Sequence, residues 1–166
     1  YWDGKAGFAK VEIPSINDAN TRAMALQSGD VDMAISIGPG EYSIFQNDKN
    51  FTIYEMSSLR DVFVRMGQKG KLRNPNLRAA LIAAADRESY AKNLMKDTFV
   101  AGKAPLPPSI DYGFNQLRDP NKYNVERAKE LLKREGYEDT NGDGIVDKDG
   151  ENLVLDFYAY TTRPEL

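Results

Sequence analysis

The sequence predicts an α/β fold, and three observations lead there. A strand-like segment, a capped helix and a second strand-like segment succeed one another within residues 8–37. Two further helices open on Asn74 and Asn124, and a Gly-rich turn leads into an alternating run at residues 153–160. Helical and alternating segments that take turns along a chain are what an α/β architecture requires.

Residues 8–16 alternate apolar and polar positions, and Pro14, which has no N–H to donate, marks a strand edge or end. Asp18 then offers an N-cap. Ala19, Ala23 and Leu26, with Met24 on the margin, share one helical face, and Gly29 stops the helix. Residues 31–37 read as a second strand, which makes a βαβ unit whose strands would be parallel. Gly38, Pro39 and Gly40 turn the chain into a short helix at residues 41–46. Residues 51–56 and 59–66 both alternate and read as strands. Residues 67–73 are polar and basic, as a boundary or surface loop is.

Asn74 followed by Pro75 is a strong helix start, because Pro at the first helical position loses no hydrogen bond. Asp86 or its neighbour is expected to recap the chain into residues 88–95, with Tyr90, Leu94 and Met95 on an apolar side. Residues 102–113 are Pro-rich and extended. Asn124 caps the last helix, whose Val125, Ala128, Leu131 and Leu132 form one stripe, and Gly136 ends it.

The chain has 166 residues, no Cys and no His, and a net charge of −3. Thiol chemistry and disulfides are thereby excluded, as are the usual general base and the commonest transition-metal ligand. The interspersed charges make no stripe for a phosphate backbone, so nucleic acid is not an expected partner. Tyr1 is an unusual start, and the run at 153–160 is followed by only a few residues. The chain is therefore expected to be a piece of a longer protein, with any targeting signal upstream.

Four segments carry a family resemblance. They are Tyr1-Trp2-Asp3-Gly4-Lys5; the helix-to-strand corner Ala25-Leu26-Gln27-Ser28-Gly29-Asp30-Val31-Asp32; residues 76–87, ending in Asp86-Arg87; and residues 123–137, ending in Gly136-Tyr137. In this order and spacing they resemble family 5 of the extracellular solute-binding proteins, the components of ABC importers that carry peptides, opines and nickel chelates. The resemblance implies a fragment of a two-lobed, periplasmic-binding-protein-like fold of the oligopeptide-binding type (class II). Residues 1–66 would belong to the first lobe, with 59–66 as the crossing, and residues 67–166 to the second. It also implies a peptide or other small solute as ligand, permease subunits as partners, and a location outside the cytoplasmic membrane, in the periplasm or at the surface as a lipoprotein.

The same resemblance runs the Pro-rich loop along the ligand cleft, making Pro107, Ser109 and Tyr112 candidate ligand contacts. The alternative is a loop that covers the second lobe's core. It also brings the strand end near the ligand, where Thr161 could meet a peptide group and Arg163 a carboxylate. Gly38-Pro39-Gly40 lies where a parallel sheet presents ligand sites, although a connecting turn explains it as well. Arg60, Arg65 and the cations of residues 69–73 read as a solvated basic face.

Asp139, Asn141, Asp143 and Asp147 form the sharpest local chemical motif. Oxygen side chains at alternate positions, then Gly144 and Ile145, resemble the front of a calcium loop. The position for a bidentate Glu is Gly150, with Glu151 one place late, so an Asp/Asn/Gly turn is the plainer reading. Ca²⁺ is accordingly a candidate ion, and no cofactor is required. The leading expectation is a non-catalytic receptor. A calcium-stabilised interaction module and an Asp/Glu-dependent hydrolase domain are the alternatives.

Overall fold

A computed structural model describes residues 2–5 and 7–160. Its contacts divide the chain into two compact units, Tyr1–Ile53 and Tyr54–Leu166.

The first unit is built on α1 (Ala19–Ser28) and α2 (Pro39–Gln46). The Asp18 carboxylate caps α1 by accepting from the Thr21 N–H at 2.8 Å, and Gly29 ends the helix at φ 82°, a left-handed geometry that glycine adopts without strain. Ala23 and Phe45 are buried, and Phe45 meets the edge of Phe51 at a ring distance of 4.9 Å.

The expected βαβ unit keeps its helix but not its sheet. Residues 8–16 and 31–37 have no ladder partner among the described residues, and Phe8, Ile13 and Ile35 are 80%, 90% and 74% exposed. Three features account for this. Pro14 withholds a donor, and Ser36 adopts φ 59°, which breaks the extended run. The carbonyls a ladder would use are taken as well: the Arg22 guanidinium on α1 donates to Ile16 O at 2.7 Å, Asn17 O at 3.1 Å and Ser36 O at 2.6 Å. Residues 51–56, 59–66 and 153–160 likewise lie in no strand among the described residues, the Leu153 N–H alone reaching back to Val146 O at 2.8 Å. Alternation specifies the two faces of a strand, not its neighbour.

The second unit centres on α3 (Pro75–Ala84) packed on α5 (Val125–Arg134). Leu77, Ala80 and Ala83 of α3 are buried, as are Ala128 and Leu131 of the predicted α5 stripe. Both caps form as expected, Asn74 accepting from the Asn76 N–H and Asn124 from the Arg127 N–H, each at 2.8 Å. The helices are antiparallel, since the Asn124 N–H at the start of α5 reaches Ala83 O at the end of α3 at 2.8 Å. At their other ends, Glu135 accepts from Asn74 Nδ2 and, at 2.5 Å, from Asn76 Nδ2.

Asp86 recaps the chain by accepting from the Ser89 N–H at 2.9 Å. The helix that follows, α4 (Arg87–Ser89), widens at once into a π turn at Tyr90–Leu94. That turn corrects the predicted apolar side: Ala91 and Met95 are buried, while Leu94 is 65% exposed. Beyond α5, β1 (Asp147–Lys148) and β2 (Glu151–Asn152) form an antiparallel hairpin that the sequence reading did not anticipate. Asp149 and Gly150 turn it with φ 54° and 80°, the two positive values a tight hairpin turn demands. No described helix is long and apolar enough to cross a membrane.

Candidate functional site

The Pro-rich segment is the best-defined candidate. Its shape follows from a few residues. Pro107 and Phe114 are buried beneath it, and the Lys103 ammonium stands over the Phe114 ring at 5.2 Å. Tyr112 packs edge-on against Phe114, 6.3 Å between ring centres, and its hydroxyl donates to Leu106 O at 2.5 Å. Gly113, at φ 81°, makes the corner from which the turn Phe114–Gln116 starts. Ser109 is exposed, and its hydroxyl donates to Ser58 O at 2.7 Å. That bond ties Ser58 to the Pro-rich segment within the second unit.

These positions sort the expected ligand contacts. Ser109 and Tyr112 lie on one segment with hydroxyls of fixed orientation, each spending its proton inside the chain and keeping oxygen lone pairs as acceptors. Pro107 is buried and supports the loop from within, because an apolar ring gains more from the loop's own interior than from water. Thr161 and Arg163 lie outside the described residues. Gly38 is the N-cap of α2 with Pro39 at its first turn, as a connecting turn requires.

Arg87 was not singled out from the sequence, although it stands in one of the four resembling segments. Its guanidinium donates to Gly102 O, to Asp119 Oδ2 at 2.9 Å and to Asn121 O at 2.5 Å. Burial pushes the Asp119 carboxyl up, but the Asn121 N–H bond and the hydrogen bond and charge of Arg87 outweigh it and hold the group below its ordinary value. Only the long-range contacts reveal this arrangement; the local pattern Asp86-Arg87 reads as no more than a helix cap.

The basic stretch forms a face of its own. Arg78 donates to Leu72 O at 2.8 Å and Arg73 O at 3.0 Å, and two open depressions flank Lys71. One includes Asn74, Asn76 and Glu135; the other includes Tyr137, Lys148 and Glu151. Neither includes Ser109 or Tyr112. The Asn76 and Asn74 amides hold the Glu135 carboxyl below its usual range, since a carboxylate that accepts hydrogen bonds resists protonation.

The acidic loop is a turn held by its own side chains. Asp139 accepts from the N–H groups of Gly142 at 2.7 Å, Asp143 at 3.2 Å and Gly144 at 2.9 Å. Asp143 accepts from the Ile145 N–H at 2.8 Å and from Asn141 Nδ2 at 3.0 Å. Asp147 is turned inward, 5% exposed, and accepts from the Thr140 N–H and hydroxyl at 2.9 and 2.8 Å. Among the described residues no three acidic side chains converge on a point where a cation could sit. As arranged, the side-chain oxygens of Asp139, Asn141, Asp143 and Asp147 accept from the loop's own donors.

Two packed helices with a restrained loop beside them make up the frame of the second unit. The comparisons identify the family it belongs to. All of residues 1–166 match the family model described as bacterial extracellular solute-binding proteins, family 5 Middle, and the chain belongs to that family. It is 30% identical over 158 residues to the oligopeptide-binding protein AppA of Bacillus subtilis, covering 92% of this chain and 28% of that protein. To the glutathione-binding protein GsiB of Salmonella typhimurium it is 30% identical over 141 residues, 84% of this chain and 27% of that one. The solved structure of AppA in complex with a nonapeptide aligns with a TM-score of 0.68 and 31% identity, over 82% of this chain and 27% of that chain. NikZ of Campylobacter jejuni, solved with Ni(L-His), aligns with a TM-score of 0.63 and 28% identity, over 83% and 27%. The chain thus spans about a quarter of the length of the relatives it matches, and its fold is that of part of a two-lobed, family 5 periplasmic binding protein.

Proposed function

We propose that the protein is the solute-capturing component of an ABC importer, taking a peptide or related small solute outside the cytoplasmic membrane and presenting it to permease subunits. The observation that carries this reading is the family match along the whole of residues 1–166. In the periplasm it would act free, and at a cell surface as a lipoprotein. Ser109 and Tyr112 would contribute oxygen acceptors to a peptide N–H or ammonium group, Thr161 would meet a peptide group and Arg163 a carboxylate. Non-catalytic capture agrees with how the described carboxylates are used: Asp119, Glu135, Asp139 and Asp147 are all hydrogen-bonded within the chain.

The test is native mass spectrometry of the protein, expressed from its complete reading frame, against a mixed nonapeptide pool, glutathione and Ni(L-His). One class should bind with one ligand per chain and be released unaltered. Hydrolysed peptides, or no binding by any of the three, would remove the reading.

A further inference from the structure

We propose that Arg87 is the positioning residue of the Pro-rich loop: its guanidinium closes the neck of residues 102–121, and the presentation of Ser109 and Tyr112 depends on that closure. The three acceptors come from both ends of the segment, Gly102 O on the way in and the Asp119 carboxylate and Asn121 O on the way out. One planar group can meet all three only if the two ends run side by side. The loop thus has apposed ends and is filled by its own side chains, Pro107 and Phe114. At its outer reach Ser109 is tied to Ser58 O.

The loop is therefore held at its neck, from within and at its reach, and of the two polar restraints the neck is the stronger. Charge-assisted bonds to part-buried acceptors exceed a single exposed hydroxyl bond. Arg87 Nε, buried and without a partner among the described residues, points the same way: the side chain is oriented for its terminal nitrogens alone. Lysine could keep the pair with Asp119 but could not bridge three acceptors, because its ammonium is a point and not a fork. The clasp itself requires no ligand; only its consequence for recognition rests on the function proposed above.

The experiment is hydrogen exchange by mass spectrometry on the complete protein, comparing Arg87→Gln, Arg87→Lys and Asp119→Asn. The loop amides of Ile110 and Tyr112, bonded to Pro107 O and Ile110 O, report on it, and the amides of α3 and α5 serve as reference. Losing several such bonds together should speed loop exchange by more than about tenfold in both Arg87 variants, with α3 and α5 unchanged. Asp119→Asn, which keeps the two carbonyl acceptors, should give about threefold. Full recovery in Arg87→Lys, no change in the loop, or equal acceleration in α3 and α5 would each overturn the proposal. Should the Arg87 variants fail to fold, Asp119→Asn decides by the same criteria. A separate arm tests the consequence: Ser109→Ala that leaves nonapeptide binding intact would remove the ligand assignment and leave the clasp standing.

Discussion

Met95→Ala should cost the second unit about 2–3.5 kcal/mol, and Leu94→Ala, one residue away, less than about 1 kcal/mol. Both side chains are large and apolar, and an apolar side drawn from the sequence includes both. The π turn at Tyr90–Leu94 separates them, leaving Met95 4% exposed and Leu94 65% exposed. Full burial of such a side chain is worth about 1.5–3 kcal/mol, and truncation adds a cavity cost. Residual compactness of the unfolded chain and the pliancy of a methionine site keep the Met95 figure in the lower part of the usual range. For Leu94 only about a third of the transfer term applies, roughly 0.5–1 kcal/mol, and alanine's better helix propensity offsets part of it. Urea unfolding followed by circular dichroism reads the difference as a shift in midpoint at constant slope. Equal losses at the two positions would refute the π turn, and a larger loss at Leu94 would place the helix in another register.

Two further outcomes follow from the polar contacts. Glu135 has its folded pKa lowered from 4.5, so its contribution to stability is present above that value and is lost as pH falls through the lower folded one. Glu135→Gln should therefore shrink the fall in melting temperature below about pH 4.5 without abolishing it, because Asp119 is lowered from 3.8 and still contributes; an unchanged acid limb would refute the clasp between α3 and α5. We propose that the acidic loop stands on its own amides, so millimolar Ca²⁺ should leave the melting temperature unmoved, whereas Asp147→Ala should cost about 1–3 kcal/mol by stranding the Thr140 N–H. A Ca²⁺-dependent rise in melting temperature would return the loop to the cation sites.

What was legible in the sequence is what local chemistry determines. Asp18, Asn74, Asp86 and Asn124 each cap a helix as short polar side chains do, and the α5 stripe buries Ala128 and Leu131. The hairpin also left a local signal, the Asp149-Gly150 pair, but residues 139–150 read as an Asp/Asn/Gly turn or, less plainly, a calcium loop, and neither contains a hairpin. The π turn left none, since Tyr90 to Leu94 would suit an ordinary helix. Strand pairing failed for a different reason. Residues 8–16 and 31–37 have strand-like patterns, and which groups meet their carbonyls depends on how α1 sets Arg22 against both, which alternation does not record. The Pro-rich loop divides the same way: the resemblance made Pro107, Ser109 and Tyr112 its candidates, while Arg87 acts across 15 to 34 positions of sequence.

The two arginines the sequence did not single out perform the same operation in different units. Arg22 gathers carbonyls from before and after α1, and Arg87 gathers them from both ends of the Pro-rich loop. In a fold with only a two-residue hairpin among its described strands, many backbone carbonyls lack a ladder, and a guanidinium supplies several donors from one rigid, permanently charged group. Both leave a buried Nε without a partner among the described residues, a cost the terminal nitrogens must outweigh. By the clasp proposed above, the Ser109 and Tyr112 hydroxyls stand where the neck that Arg87 closes puts them.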